Sequence, residues 1–272
     1  MKKIDMEELK RNANELLEEP LQALEPLCVK TKTNGNVVII SEAYYKRIME
    51  ELDLDNNPSL KTKLQQNLVP DLEDFVIKGN KLVKYKGKAK NIFVPNVVTE
   101  IADNAFEKLN FIENITLPES VIKIGKYAFK ECTKLRKIFI PKTLEEIGEY
   151  AFYHCKNLQK IHIPEGIKII DDCTFEGCEA LSKVKLPDSI EEIKFNAFKD
   201  CGEIEKIDIP DSLRYIEGGA FENAGITSLK FDSYAEVDSS AFWGCPLWTI
   251  YGYKDTSIEE YADHNAIDFE EL

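Results

Sequence analysis

Ile115-Thr116-Leu117-Pro118-Glu119-Ser120-Val121-Ile122-Lys123-Ile124-Gly125-Lys126-Tyr127-Ala128-Phe129-Lys130-Glu131-Cys132-Thr133-Lys134-Leu135 is the stretch that decides how this chain folds. The same order of apolar residues returns up and down the sequence. Phenylalanines fall at Phe106, Phe129, Phe152, Phe175, Phe198 and Phe221, each 23 residues after the last, and Phe242 follows after 21. All but Phe175 are preceded by alanine. An apolar-x-apolar-Pro unit recurs at Ile92 to Pro95, Ile115 to Pro118, Ile138 to Pro141, Ile161 to Pro164, Val184 to Pro187 and Ile207 to Pro210. A second apolar pair follows each unit, from Val98 and Ile101 to Leu213 and Ile216, and Leu or Ile closes the turn at Ile112, Leu135, Leu158, Leu181, Ile204 and Ile226. One such unit carries too few inward side chains for a core of its own and buries them only against its neighbours.

The alternation in Lys137-Ile138-Phe139-Ile140 predicts a strand with Ile138 and Ile140 inward, and Pro141, lacking an N–H, ends it. Stacked copies form a parallel sheet with strands about 4.8 Å apart, so seven turns span roughly 34 Å. Both ends of the array read as closed, as stacked apolar faces require. Phe75-Val76-Ile77 and Leu82-Val83-Lys84-Tyr85 flank Gly79-Asn80, which predicts a capping hairpin. Ser257-Ile258-Glu259-Glu260 reads as a capping box that opens a short helix through Tyr261 and Ala262, broken at Asn265, with Ile267 and Phe269 returning as a strand.

These residues resemble the leucine-rich repeats of the BspA-like class of bacterial proteins, whose consensus runs approximately I-x-I-P-x-x-V-x-x-I-G-x-x-A-F-x-x-C-x-x-L. The likeness covers about Phe75 to Leu272. It implies a scaffold used to recognise partners, and the better-known members of that class are surface proteins. The expected fold is a mainly β leucine-rich-repeat solenoid with a parallel sheet, a hairpin N-cap and a short helical C-cap, preceded by a small α+β domain. The boundaries are 1–68 for that domain, 69–91 for linker and capping hairpin, 92–250 for the repeats and 251–272 for the C-terminal cap.

Residues 1–68 lack the period. Asp5 and Glu8 predict a capped helix burying Leu9, Ala13, Leu16 and Leu17. Leu27 to Thr31 and Val37 to Ile40 are strand-like around Asn34-Gly35, a hairpin signal, and Ser41 and Pro58 open two further helices. Ile4 to Leu17, followed by Asn36-Val37-Val38-Ile39-Ile40-Ser41-Glu42-Ala43-Tyr44-Tyr45, resembles the DNA-binding half of Phd/YefM-type antitoxins. That resemblance implies a homodimer through this unit and contact with operator DNA, with Lys10 and Arg11 of the first helix on phosphates. Residues 1–68 nevertheless hold more carboxylates than cations, and the solenoid stands where such antitoxins carry their toxin-wrapping tail.

A net charge of −14 and a pI near 4.9 weigh against sequence-independent binding of the whole molecule to nucleic acid or anionic membranes. The amino terminus has no apolar h-region, so the expected location is cytoplasmic, without membrane insertion. Seven cysteines, an odd number, fit a reducing compartment. Cys132, Cys155, Cys178 and Cys201 recur at the repeat period and Cys245 keeps their offset from phenylalanine. Leu109 and Ala224 fill that position elsewhere, which marks an inward packing site and not a metal or redox centre. Cys28 and Cys173 stand outside this column with no role assigned. His154, His162 and His264 are not spaced as metal ligands or as part of a hydrolase motif and read as solvated or capping residues. With no phosphate-binding loop, dinucleotide fingerprint or nucleophile elbow, the expectation is a protein with no catalytic residues, cofactor or metal.

One surface column stands apart. Lys137, Lys160, Lys183 and Lys206 fall in register on the outer side of successive strands, beside Phe139, His162, Lys185 and Asp208, on the face expected to be concave. Two readings remain: solvated lysines pairing locally with Glu113 or Glu205, or a docking stripe for an acidic protein partner. The first expectation for function is a non-catalytic cytoplasmic recognition scaffold; the second is a DNA-binding antitoxin or autorepressor.

Overall fold

The computed structural model describes residues 72–272, together with the backbone of three short strands, β1 (Lys3–Asp5), β2 (Leu27–Lys30) and β3 (Asn36–Ile39). Strands β2 and β3 pair antiparallel, with Lys30 opposite Asn36, on either side of Asn34-Gly35. Strand β1 runs parallel to β2, an element the sequence does not announce because three residues carry no period. The helices expected in this region lie outside the described residues.

A 3-10 turn at Leu72–Asp74 leads into the antiparallel hairpin β4 (Phe75–Lys78) and β5 (Lys81–Tyr85), turning at Gly79 with φ +60. The coils then alternate two kinds of strand, β6 (Asn91–Phe93), β7 (Glu100–Ile101), β8 (Asn114–Thr116), β9 (Lys123–Ile124), β10 (Lys137–Phe139) and β11 (Glu146–Ile147). They continue as β12 (Lys160–His162), β13 (Ile169–Ile170), β14 (Lys183–Lys185), β15 (Glu192–Ile193), β16 (Lys206–Ile209) and β17 (Tyr215–Ile216). The last are β18 (Ser228–Phe231), β19 (Glu236–Val237), β20 (Thr249–Gly252), the helix α1 (Ser257–Asn265) and β21 (Asp268–Glu271). All coil-to-coil pairing is parallel, so the result is a parallel-sheet solenoid of about eight turns. The turn beyond the seven counted from phenylalanines begins at β20, where α1 replaces the phenylalanine corner and hides the period.

The apolar-x-apolar-Pro units form one column of strands, ordered β6-β8-β10-β12-β14 and then β16-β18-β20-β21. The second apolar pair, which no alternation marks, forms another column of two-residue strands, β7-β9-β11 and then β13-β15-β17-β19, with the hairpin heading it. Each column is interrupted once, the first between β14 and β16 and the second between β11 and β13. Across both interruptions the coils stay joined through the interior. Phe106, Phe129, Phe152, Phe175, Phe198 and Phe221 are fully buried, and neighbouring rings stack with centroids 5.1–5.3 Å apart. That distance follows the strand spacing and suits offset aromatic stacking. Tyr85 closes the stack at one end and Tyr261 of α1 at the other.

The six corners from Phe106 to Phe221 each take two left-handed residues, two positions before and two after the phenylalanine. Tyr127 and Glu131, Tyr150 and His154, and Asn196 and Asp200 have φ between 54 and 58. Such a conformation costs a non-glycine residue of order 1 kcal/mol, and the surrounding structure over-determines it here. The corner amides donate to the next coil, Tyr127 N–H to Glu149 O at 3.1 Å, Phe129 N–H to Ala151 O at 2.8 Å and Glu131 N–H to Tyr153 O at 2.7 Å. Cys173, with φ 52, is the member of this column in its coil, which accounts for its place outside the cysteine ladder. His154 is half-buried and lies over Gly177 of the next coil, which corrects the solvated reading of that residue.

The cysteine ladder packs inward, as its exchange with Leu109 and Ala224 predicts. Cys132, Cys155, Cys178 and Cys201 are fully buried, and each thiol donates to the carbonyl of the phenylalanine 26 residues earlier, at 3.0–3.3 Å. Burial pushes the Cys132 thiol up to about 12 and raises Cys155, Cys178 and Cys201 well above the ordinary value of 9.0. A raised folded pKa means that the native state keeps protons the unfolded state would release. The resulting stability is whole below pH 9 and falls as pH rises past it. We expect peptide mapping after a thiol-alkylating pulse at pH 8 to show no label on these four cysteines, with the half-exposed Cys245 reacting first among the ladder members. Urea midpoints should decline steadily above pH 9; a flat profile to pH 11 contradicts the assignment.

At the carboxyl end the helix begins one residue earlier than the capping-box reading places it. Thr256 is the N-cap, and the Ser257 hydroxyl instead donates to Ala235 O of the preceding coil at 2.7 Å. Glu259 still reaches back, accepting from Asp255 N–H at 2.6 Å. Left-handed Ala266, not Asn265, ends the helix, and β21 then adds to the first column.

Candidate recognition surface

Strand alternation sends Ile138, Ile161 and Ile207 into the core, at 9%, 4% and 3% exposure, and leaves the lysines on the outer side of the sheet. The parallel register sets Lys137 opposite Lys160, Lys160 opposite Lys183 and His162 opposite Lys185. Lys183, Lys185, Lys206 and His162 are exposed, and Lys137 and Lys160 half-exposed. A groove of about 810 Å³ runs along the edge of this column, between Lys137, Lys160 and Lys183 on one side and Lys156, Asn157 and Glu179 on the other. A smaller depression of about 310 Å³ lies across Lys160, His162, Lys183 and Lys185.

Many other lysines of the solenoid are held differently. Lys90 meets Glu113 at 2.7 Å, Lys123 Glu146 at 2.7 Å, Lys126 Glu149 at 2.6 Å and Lys156 Glu179 at 2.7 Å, each 23 residues and one coil on. Lys168 with Glu191, Lys194 with Glu217 and Lys199 with Glu222 repeat the arrangement at 2.8–3.0 Å. The Lys90 ammonium holds the Glu113 carboxyl below its usual range, helped by Arg136 and Lys134, so this carboxylate already has its partner. Glu113 therefore does not serve the stripe. Among the described residues no carboxylate forms an ion pair with Lys160, Lys183, Lys185 or Lys206. Adjacent strands thus carry like charges opposite one another, an arrangement that is destabilising by itself.

Phe139 departs from expectation. It is only 7% exposed, although alternation puts it on the outer side with Lys137. Its neighbours across β8 on that side, Asn114 at 8% and Thr116 at 2%, are sequestered with it, so on β10 only Lys137 is partly open and the fully open part of this face begins at β12. Lys10 and Arg11 lie outside the described residues.

Among the described residues the most exposed aromatic ones are ones the sequence reading passed over: Tyr234 at 76%, Trp248 at 74% and Trp243 at 67%, all in the last coils. The signal was present, because Trp243 holds the position that carries Glu107, Lys130, Glu176, Lys199 and Glu222 in earlier repeats, Tyr153 being the one other aromatic there. Among the described residues no group of three or more His, Cys, Asp or Glu is placed to hold a metal ion, and no helix is long and apolar enough to cross a membrane.

Six copies of the BspA type leucine-rich repeat region match the chain, over residues 79–170 and 145–268. In three dimensions the chain is similar to a T. pallidum leucine-rich repeat protein, at 27% identity and a TM-score of 0.60, over 74% of this chain and 97% of that one. It is also similar to a leucine-rich repeat protein from Bacteroides ovatus, at 26% identity and a TM-score of 0.54, over 75% of this chain and 58% of that one. A leucine-rich repeat protein from Eubacterium ventriosum shares the fold, at 22% identity and a TM-score of 0.54, over 66% of this chain and 52% of that one. No curated protein sequence matches the chain.

Proposed function

Because the chain belongs to the BspA-type leucine-rich repeat family, we propose that it is a non-catalytic, cytoplasmic recognition protein that binds an acidic protein partner on the lysine-bearing face of its solenoid. The amino-terminal unit, by its antitoxin-like wording, dimerises and so presents two such faces. What supports this reading is a contrast within one molecule. Many lysines of the repeats find a glutamate one coil away, whereas Lys160, Lys183, Lys185 and Lys206 have none among the described residues and, unlike the scattered Lys134 and Lys142 that also lack one, stand together on adjoining strands. Like charges held side by side repel at each rung, and an incoming carboxylate surface relieves that repulsion while steering its own approach.

The test uses the full chain and a Lys160→Glu/Lys183→Glu variant as baits in a native lysate. We expect an acidic protein to be retained by the natural chain, released by raised salt and absent from the variant. Equal recovery on both baits sinks the proposal. Light scattering of the full chain should give twice the 31.1 kDa chain mass, and a monomer at micromolar concentration removes the dimer from it.

A further inference from the structure

We infer that this face is shaped for an α-helix carrying acidic residues along one side, lying parallel to the solenoid axis across β10, β12, β14 and β16. The inference rests on the acidic-partner reading and narrows it to a conformation. Its first support is the spacing of charge. The register places Lys137, Lys160 and Lys183 opposite one another on hydrogen-bonded strands, so the rungs repeat about every 4.8 Å along the axis. A bound chain must offer carboxylates at nearly that interval.

An extended peptide presents alternate side chains roughly 6.7 Å apart, so over the two intervals from Lys137 to Lys183 it runs about 4 Å out of step. A polyproline helix puts side chains on one face only about every 9.3 Å. An α-helix returns a side chain to the same face each 5.4 Å turn, so the same two intervals leave it roughly 1 Å out. The flexible lysine stems absorb a mismatch of that size.

Backbone chemistry points the same way. At the centre of the face β12 is bonded to β10 on one side and β14 on the other, so there a partner meets side chains and no open strand edge. An extended peptide pressed against it would leave its own backbone groups without partners, whereas a helix brings its backbone already bonded. The face is also broad enough. His162 and Lys185 form a second column about 6.6 Å from the first along the strands, giving over β12 and β14 a basic and imidazole-bearing strip that matches a helix of about 10 Å diameter and ends at the exposed Asp208 of β16.

The experiment measures fluorescence anisotropy of the full chain with three labelled probes. The first is an alanine- and glutamine-rich helical peptide with glutamates at i, i+4, i+7 and i+11. The second has the same composition with those glutamates distributed around the helix, and the third is single-stranded DNA of comparable charge. We expect the one-sided helix to bind at least about tenfold more tightly than its rearranged counterpart, with affinity falling as salt rises. That preference should vanish in Lys160→Glu/Lys183→Glu and weaken in the milder Lys183→Gln/Lys206→Gln, both checked for an unchanged thermal melt. Equal binding of the two peptides overturns the helical inference and leaves an acidic partner standing. Absence of binding by either overturns both, and tighter binding of the DNA assigns the face to nucleic acid.

Discussion

Replacing Phe175 by alanine should lower the unfolding free energy by roughly 3–5 kcal/mol, the largest loss we expect from any single truncation in the core. Phe175 is fully buried between Phe152 and Phe198, at 5.3 and 5.2 Å, and its carbonyl accepts the Cys201 thiol at 3.2 Å. Removing the ring leaves a void that its neighbours cannot close, since their own spacing is set by the coils. The position matters as much as the volume. The coil of Phe175 lies between the two places where a strand column is interrupted, β11 to β13 before it and β14 to β16 after it. There the interior stack carries a greater share of the cohesion between turns. Urea denaturation followed by circular dichroism should show the loss, together with a fall in melting temperature of roughly 10 °C for a domain of this size. Phe175→Leu should cost much less, and an alanine variant within about 1 kcal/mol of the natural chain would mean that the stack does not hold the coils.

Gly225→Ala should be almost as damaging, by about 2–3 kcal/mol, through overpacking. A Cβ at Gly225 would be driven into the carbonyl oxygen of Gly202 on the preceding coil, and this is backbone that cannot rotate aside. The two coils would have to part where Gly225 N–H reaches Cys201 O. Gly202 supplies the control, because a Cβ there meets nothing within 4 Å. Gly202→Ala should change stability by less than about 1 kcal/mol, in either direction. Equal midpoints for the two variants would refute the close approach.

Much of this architecture is legible before any coordinates, for a physical reason. In a stacked array the neighbour of a residue is the residue one period away, so a column in the sequence is a contact in space. The phenylalanine stack, the cysteine ladder and the lysine column are all readable in that way. So are the pairs from Lys90 and Glu113 onward, once the period is applied to charge as well as to apolar residues. What escapes is whatever depends on geometry inside one coil or across a face. Two-residue strands such as Lys123–Ile124 have no alternation to show, and the left-handed corners at Tyr127 or Cys173 carry side chains that do not advertise that conformation. Ser257 has the chemistry of a cap and is used to tie α1 to the preceding coil. Phe139 obeys alternation in direction and is buried nonetheless, a fact that no pattern within β10 could contain. For the candidate site, the register of Lys160 and Lys183 was predictable, whereas the absence of an ion pair to them among the described residues required the positions of every neighbouring glutamate.

The one-coil step of the ion pairs gives the molecule a natural ruler. A segment of one whole period can be excised or duplicated between matching corners, and each surviving lysine still meets a glutamate of equivalent geometry. A change of any other length would disturb the pairs that span the altered coil, while pairs wholly before or after it would keep their spacing. The reach of the basic face can therefore be adjusted by inheritance in increments of about 4.8 Å, one rung for each repeat gained or lost, without redesign of the interior.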